Sequence, residues 1–131
     1  GKKFAYLADR KLNYKDLETL PVMCLEGNTS TRAYVEGFLR ENGVHLQPEF
    51  ELATSDMLIR FAMRGFGIAG VAEDFALEAM EKGEIFRLHF DREIPKRHFC
   101  IVTDEKVPMT AAARRFLDLL EDKCTPDKHK S

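Results

Sequence analysis

No apolar run in this chain approaches the roughly 20 residues that a membrane helix needs. Its opening, Gly1-Lys2-Lys3-Phe4, lacks the build of a secretory signal peptide. No membrane association is expected. Cysteine is scarce: Cys24, Cys100 and Cys124 are too few and too scattered for a disulfide scaffold, which points to reduced thiols and a cytoplasmic protein. An excess of charge of one sign is also missing. Lys and Arg number 20 and Asp and Glu 22, for a net charge of -2. The chain therefore has no electrostatic footprint for nucleic acid or an anionic surface.

Patterns that carry chemistry are equally sparse. His45, His89, His98 and His129 stand at no metal-ligand spacing with cysteine or carboxylate, so neither metal nor cofactor is expected. No serine sits in a G-x-S-x-G elbow. The acids, such as Glu36 and Glu41 or Glu78 and Glu81, are spread along solvated helix faces, and no pair stands out as general acid and base. The chain has the anatomy of a binder rather than an enzyme.

What is present is a soluble globular composition, 44% hydrophobic and 32% charged over 131 residues. That length fits one domain or a substantial part of one, and about two-thirds of the unfolded surface can be buried. The chain does not begin with Met and is expected to be a fragment of something longer. Apolar and turn patterns predict a strand over Phe4–Ala8, a short helix over Tyr14–Leu20 and a buried strand over Val22–Leu25. A helix over Arg32–Glu41 follows, with Tyr34 or Val35, Phe38 and Leu39 inward, and then a strand over Glu49–Ala53 with Phe50 and Leu52 on one face. Next come a helix carrying Met57, Leu58, Phe61 and Ala62, a strand over Ile68–Ala72 and a helix over Asp74–Lys82 with Phe75, Ala79 and Met80 inward. Strands over Glu84–Phe90 and His98–Thr103 would place His89 and His98 on one strand pair. A last helix, capped by Thr110, gathers Ala112, Phe116, Leu119 and Leu120 on one face, ahead of a Lys-rich tail predicted to be disordered. Strands alternating with helices make this an α/β chain with a largely parallel sheet and helices on both faces.

Gly65-Phe-Gly67-Ile-Ala-Gly70 matches the dinucleotide pattern G-x-G-x-x-G, but in reverse context: a helix precedes it and a strand follows. The glycines are read as a helix stop and a tight turn. On folds of this class ligands sit at the carboxyl ends of strands, where loops meet helix starts. Glu26–Arg32, Thr54–Asp56 and Val71–Asp74 qualify. The segment Gly27-Asn28-Thr29-Ser30-Thr31-Arg32 offers hydroxyls, amides and a guanidinium for an anion. The simpler reading, that Ser30 or Thr31 caps a helix, stands beside it with equal weight. Thr54 or Ser55 is expected mainly to cap the next helix. Cys24, beside the polar loop, is expected to be a buried structural thiol.

The order of these elements resembles the effector-binding region of LysR-type transcriptional regulators. The resemblance rests on Phe4–Ala8, Asp16-Leu17 with Pro21–Leu25, Glu26–Arg32, Glu49–Ala53, Arg64-Gly-Phe-Gly-Ile68, Met80-Glu-Lys-Gly-Glu-Ile85 and Met109-Thr-Ala-Ala-Ala-Arg-Arg-Phe-Leu-Asp-Leu-Leu120. Ala72 departs from the family's usual proline. The resemblance implies a fold like a type 2 periplasmic binding protein, here mostly subdomain two with hinge strands and the C-terminal helix. Residues 1–122 would form the partial domain, with 20–90 as the core of subdomain two, 97–122 returning to subdomain one and 123–131 as tail. It implies a small-molecule effector in a cleft rimmed by Cys24, Glu26, Asn28, Thr29, Ser30, Arg32, Thr54, Ser55, Val71 and Ala72. A carboxylate would suit Arg32 and the hydroxyls, though Glu26 would oppose one unless it faces away. DNA contact would belong to an absent N-terminal helix-turn-helix. The uncovered face of the last helix predicts a dimer or swapped assembly. The rivals are a solute-binding protein of the same fold and an enzyme on a related bilobal fold.

Overall fold

A computed structural model describes the backbone of residues 1–98 and 100–124 and the side chains of residues 1–98 and 100–120. The chain divides into two compact units, Gly1–Lys96 and Arg97–Ser131. In the first, a 3-10 helix over Lys2–Leu7 leads to β1 (Lys11–Leu12), a second 3-10 helix over Tyr14–Thr19, β2 (Val22–Leu25) and α1 (Ser30–Glu41). Then follow β3 (Phe50–Leu52), α2 (Ser55–Met63), β4 (Ile68–Ala69), α3 (Glu73–Glu81) and β5 (His89–Phe90). β2 is the centre of a parallel sheet with order β3-β2-β4, and β1 pairs in parallel with β5.

The sequence VMCL explains the layering. A parallel strand covered on both faces must be apolar at every position, and all four residues of β2 are buried. Successive side chains point to opposite faces. Val22 and Cys24 therefore join Tyr14, Leu17, Leu39 and Val44 in one core, with Val35 and Phe38 of α1 packed against it. Met23 and Leu25 join Leu58, Ile59 and Ala62 of α2, Ala76 and Ala79 of α3, and Ile85. Helices thus cover both faces, as the alternation of elements predicts.

Local signals set the ends. Thr29 accepts the Arg32 N–H at 3.2 Å and Thr54 accepts the Met57 N–H at 3.3 Å, each closing one open donor at a helix start. Gly65, at φ +77, stops α2 in the left-handed region that glycine enters without strain. The dinucleotide-like glycines are thus a turn.

Several expectations are corrected. Phe4–Ala8 is not a strand. Phe4 N–H bonds to the Gly1 carbonyl at 3.0 Å and Ala8 N–H to Ala5 at 2.9 Å, so local turns satisfy a short apolar run that has no neighbouring strand. The predicted strand over Glu84–Phe90 shrinks to His89–Phe90, because the Glu84 and Ile85 amides bond to the Ala79 carbonyl and extend the end of α3. Ile68–Ala72 pairs only at Ile68–Ala69, and Ala72 serves as the N-cap position of α3. Leu39, Leu58, Ala62 and Ala79 are buried as expected and Val35 is the one of the Tyr34/Val35 alternatives that packs on the core, but Met57 and Phe75 are exposed, and Ile59 and Ala76 are buried in addition. Phe50 is also exposed.

In the second unit, Phe99 lies outside the described residues, and His98 and Cys100–Thr103 form no strand. The expected strand that was to carry His98 beside His89 is therefore absent among the described residues. α4 (Ala111–Cys124) opens on Thr110, whose hydroxyl accepts the Ala113 N–H at 3.2 Å. Phe116 and Leu119 are exposed. The helix takes in the first two residues of the expected tail, 123–131, and residues 125–131 lie outside the described residues. No helix among the described residues is long and apolar enough to cross a membrane.

The glycine turn gives a direct test. A Cβ on Gly67 would lie 2.5 Å from the Pro21 carbonyl oxygen, whereas one on Gly70 would meet nothing within 4 Å. Gly67→Ala is expected to cost about 1–3 kcal/mol, and Gly70→Ala to stay within about 0.5 kcal/mol of the parent. Urea unfolding of both variants checks this, and equal midpoints would refute the close-packing role of Gly67.

Candidate functional site

A parallel sheet places all its carboxyl strand ends on one edge, and here each end runs into a helix start. β2 leaves at Leu25 into Glu26–Thr29 and α1; β3 leaves at Leu52 into Ala53–Thr54 and α2; β4 leaves at Ala69 into Gly70–Ala72 and α3. The Glu26 N–H bonds to the Leu52 carbonyl at 3.0 Å, which holds the first loop beside the second. Pairing of Met23 with Ala69 sets the third loop on the other side of β2. Glu26, Asn28, Ser30, Thr54 and Ala72 are exposed on this edge, and Thr29, Ser55 and Val71 are half-buried. The structure therefore brings eight of the ten expected rim residues to one edge.

Cys24 and Arg32 behave differently. Cys24 is buried below the strand end and lines a small apolar cavity of about 100 Å³ with Tyr14, Leu17, Val35 and Leu39. Burial pushes its thiol up from the usual range, with the Arg32 charge opposing.

Arg32 is 7% exposed and faces inward. Its guanidinium donates to the Leu25 carbonyl at 2.8 Å and lies 2.6 Å from Glu36 and 3.1 Å from Glu51. Burial works against its charge, and the hydrogen bond to Glu36 together with the charges of Cys24, Glu36 and Glu51 more than offsets that, so the guanidinium is held above its usual range. Arg32 was expected to suit a carboxylate ligand; here two carboxylates of the protein hold its guanidinium. Glu36 stands four residues along the same helix, a spacing visible in the sequence. Glu51 arrives from β3, which only the fold reveals.

The helix-cap reading also resolves. Thr29, rather than Ser30 or Thr31, is the cap, and its hydroxyl also donates to the Glu26 carbonyl at 3.1 Å. Asp56 on the neighbouring helix pairs with Arg60 at 2.9 Å, and Glu73 pairs with Arg87. Donors for an acceptor-bearing ligand are thus the amides at the helix starts and the side chains of Asn28, Ser30 and Ser55.

A family model described as LysR substrate binding domain matches residues 4–125. The chain belongs to this family. The match runs through both units, and the family's fold is of the type 2 periplasmic-binding-protein kind, consistent with the mixed α/β layers of this LysR domain. No curated protein matches the chain.

Two outcomes follow for this edge. Arg32→Ala would leave Glu36 and Glu51 without their shared cation and the Leu25 carbonyl without its donor, with an expected loss of about 1–3 kcal/mol in urea unfolding; an unchanged midpoint would refute the clamp. Iodoacetamide should modify Cys100 and spare Cys24 in the native protein. Below the unfolded thiol's titration range both states hold the Cys24 proton. Above it only the unfolded state releases it, so this thiol lowers stability as pH rises through that range. Rapid native labelling of Cys24 would contradict its burial.

Proposed function

We propose that this chain is the effector-sensing part of a LysR-type transcriptional regulator, and that it binds a small metabolite in a cleft between two subdomains. The family match across both units carries this reading. Residues 20–90 would be the core of subdomain two, with its strand-end edge as one wall of the cleft. Residues 97–122 would return to subdomain one. The exposed Phe116 and Leu119 support that assignment, because such a face needs cover from elsewhere. The same need supports a dimer or swapped assembly. Effector closure of the cleft would shift the arrangement of the oligomer and of its DNA-binding heads, which lie outside this sequence, in the cytoplasm.

The inward Arg32 reshapes the expected ligand. A carboxylate effector would be held by helix-start amides and by Asn28, Ser30 and Ser55, without a guanidinium.

Titration of small metabolite carboxylates and their neutral amides into isotopically labelled protein tests the site. The amides of Asn28, Ser30, Thr54, Ser55, Val71 and Ala72 should shift first, with the millimolar or weaker affinity that one wall of a cleft would give. Shifts confined to other surfaces would refute the site. Light scattering tests the assembly, and a monodisperse monomer would count against it.

A further inference from the structure

Asp91–Lys96 follows β5 and closes the first unit. It is neither helix nor strand. A segment of that kind keeps much of its backbone freedom unless something outside it holds it. Here side chains of the same unit do so. The Asp91 N–H donates to the Leu12 carbonyl at 3.0 Å, which carries the β1–β5 pairing one step further. The Tyr14 hydroxyl donates to the Arg92 carbonyl, and the Tyr14 ring stacks on Phe90 with centroids 4.5 Å apart. Burial pushes the Tyr14 phenol up from its usual range, so its proton stays in place to donate.

The remaining bonds join this strap to α1. The Tyr34 hydroxyl donates to the Pro95 carbonyl at 2.6 Å. The Arg92 guanidinium donates to the side-chain oxygen of Asn42, the cap at the end of α1, at 3.2 Å. Asn42 is itself fixed, because its side-chain amide donates to the Phe38 carbonyl at 2.7 Å. At its other end α1 is anchored to the sheet, through Arg32 on Leu25 and Glu51. A helix is a stiff element, so a displacement of its start is felt along its length. We propose that α1 and the Asp91–Lys96 strap move as one body, with Tyr34 and Asn42 as positioning residues that carry a displacement of the α1 start to the end of the first unit. α1 starts at the candidate effector edge, but the coupling does not rest on that reading, and its test uses no effector.

Nuclear magnetic resonance of isotopically labelled protein tests the coupling. The Glu93, Ile94 and Lys96 amides should have order parameters near the rigid value of about 0.85 in the parent, falling below about 0.6 in Tyr34→Phe/Arg92→Ala. That double variant keeps the Tyr34 ring and changes an exposed side chain, so it should retain the parent's circular dichroism spectrum. Arg32→Lys disturbs the α1 anchor, and Thr29→Ala removes the α1 cap as a second route to the same end. Each should shift the Ile94 and Lys96 resonances in the parent background and leave them in place in the Tyr34→Phe/Arg92→Ala background. Order parameters that the double variant leaves unchanged would overturn the proposal. So would resonances that move equally in both backgrounds, or in neither.

Discussion

The fold depends on covering one short strand from both sides at once. Val22–Leu25 sends two side chains to each face, and neither pair can be left in water without losing the benefit of the other. Covering one face recruits α1 and the Tyr14–Thr19 turn; covering the other recruits α2 and α3. Since each helix must start where a neighbouring strand stops, the three loops converge on one edge. The location of the candidate site is therefore a by-product of core formation, and its contents are free to vary.

At that edge a single guanidinium joins three elements. Arg32 reaches the end of β2 through Leu25, its own helix through Glu36, and β3 through Glu51. A buried cation between two partly exposed carboxylates is better at fixing geometry than at adding stability, since desolvation offsets much of the attraction. Its consequence is positional: the Glu26–Thr29 loop is anchored from below, while Asn28 and Ser30 face solvent.

The sequence made the helices, the Thr54 and Thr110 caps and the buried strand legible because those signals are local. Thr54 before Met57-Leu58, Gly65 after Arg64, and four apolar residues after Pro21 need no distant partner to be interpreted. The short strands were legible only in part. Whether Phe4–Ala8 or Ile68–Ala72 forms a ladder depends on what lies alongside, and that is set elsewhere in the chain. The candidate edge followed from topology, and eight of its ten residues stand there. The pairing of Arg32 with Glu51 was not legible, because Glu51 is remote in sequence and adjacent in space. Cys24 followed its apolar neighbours into the core, as its position in VMCL suggested.

The central place of β2 also shapes how the chain is born. In sequence it precedes both strands that flank it, and every pairing in its sheet is parallel. During synthesis β2 therefore leaves the ribosome with both edges open and with only the Tyr14–Thr19 turn already made to cover one face, and it must wait for β3 and later β4. Four consecutive apolar residues are a sticky segment in that interval. Pro21 immediately before them and Glu26-Gly-Asn immediately after supply a breaker and a charge at its boundaries. The polar loop at the candidate site thus doubles as a guard on the nascent strand.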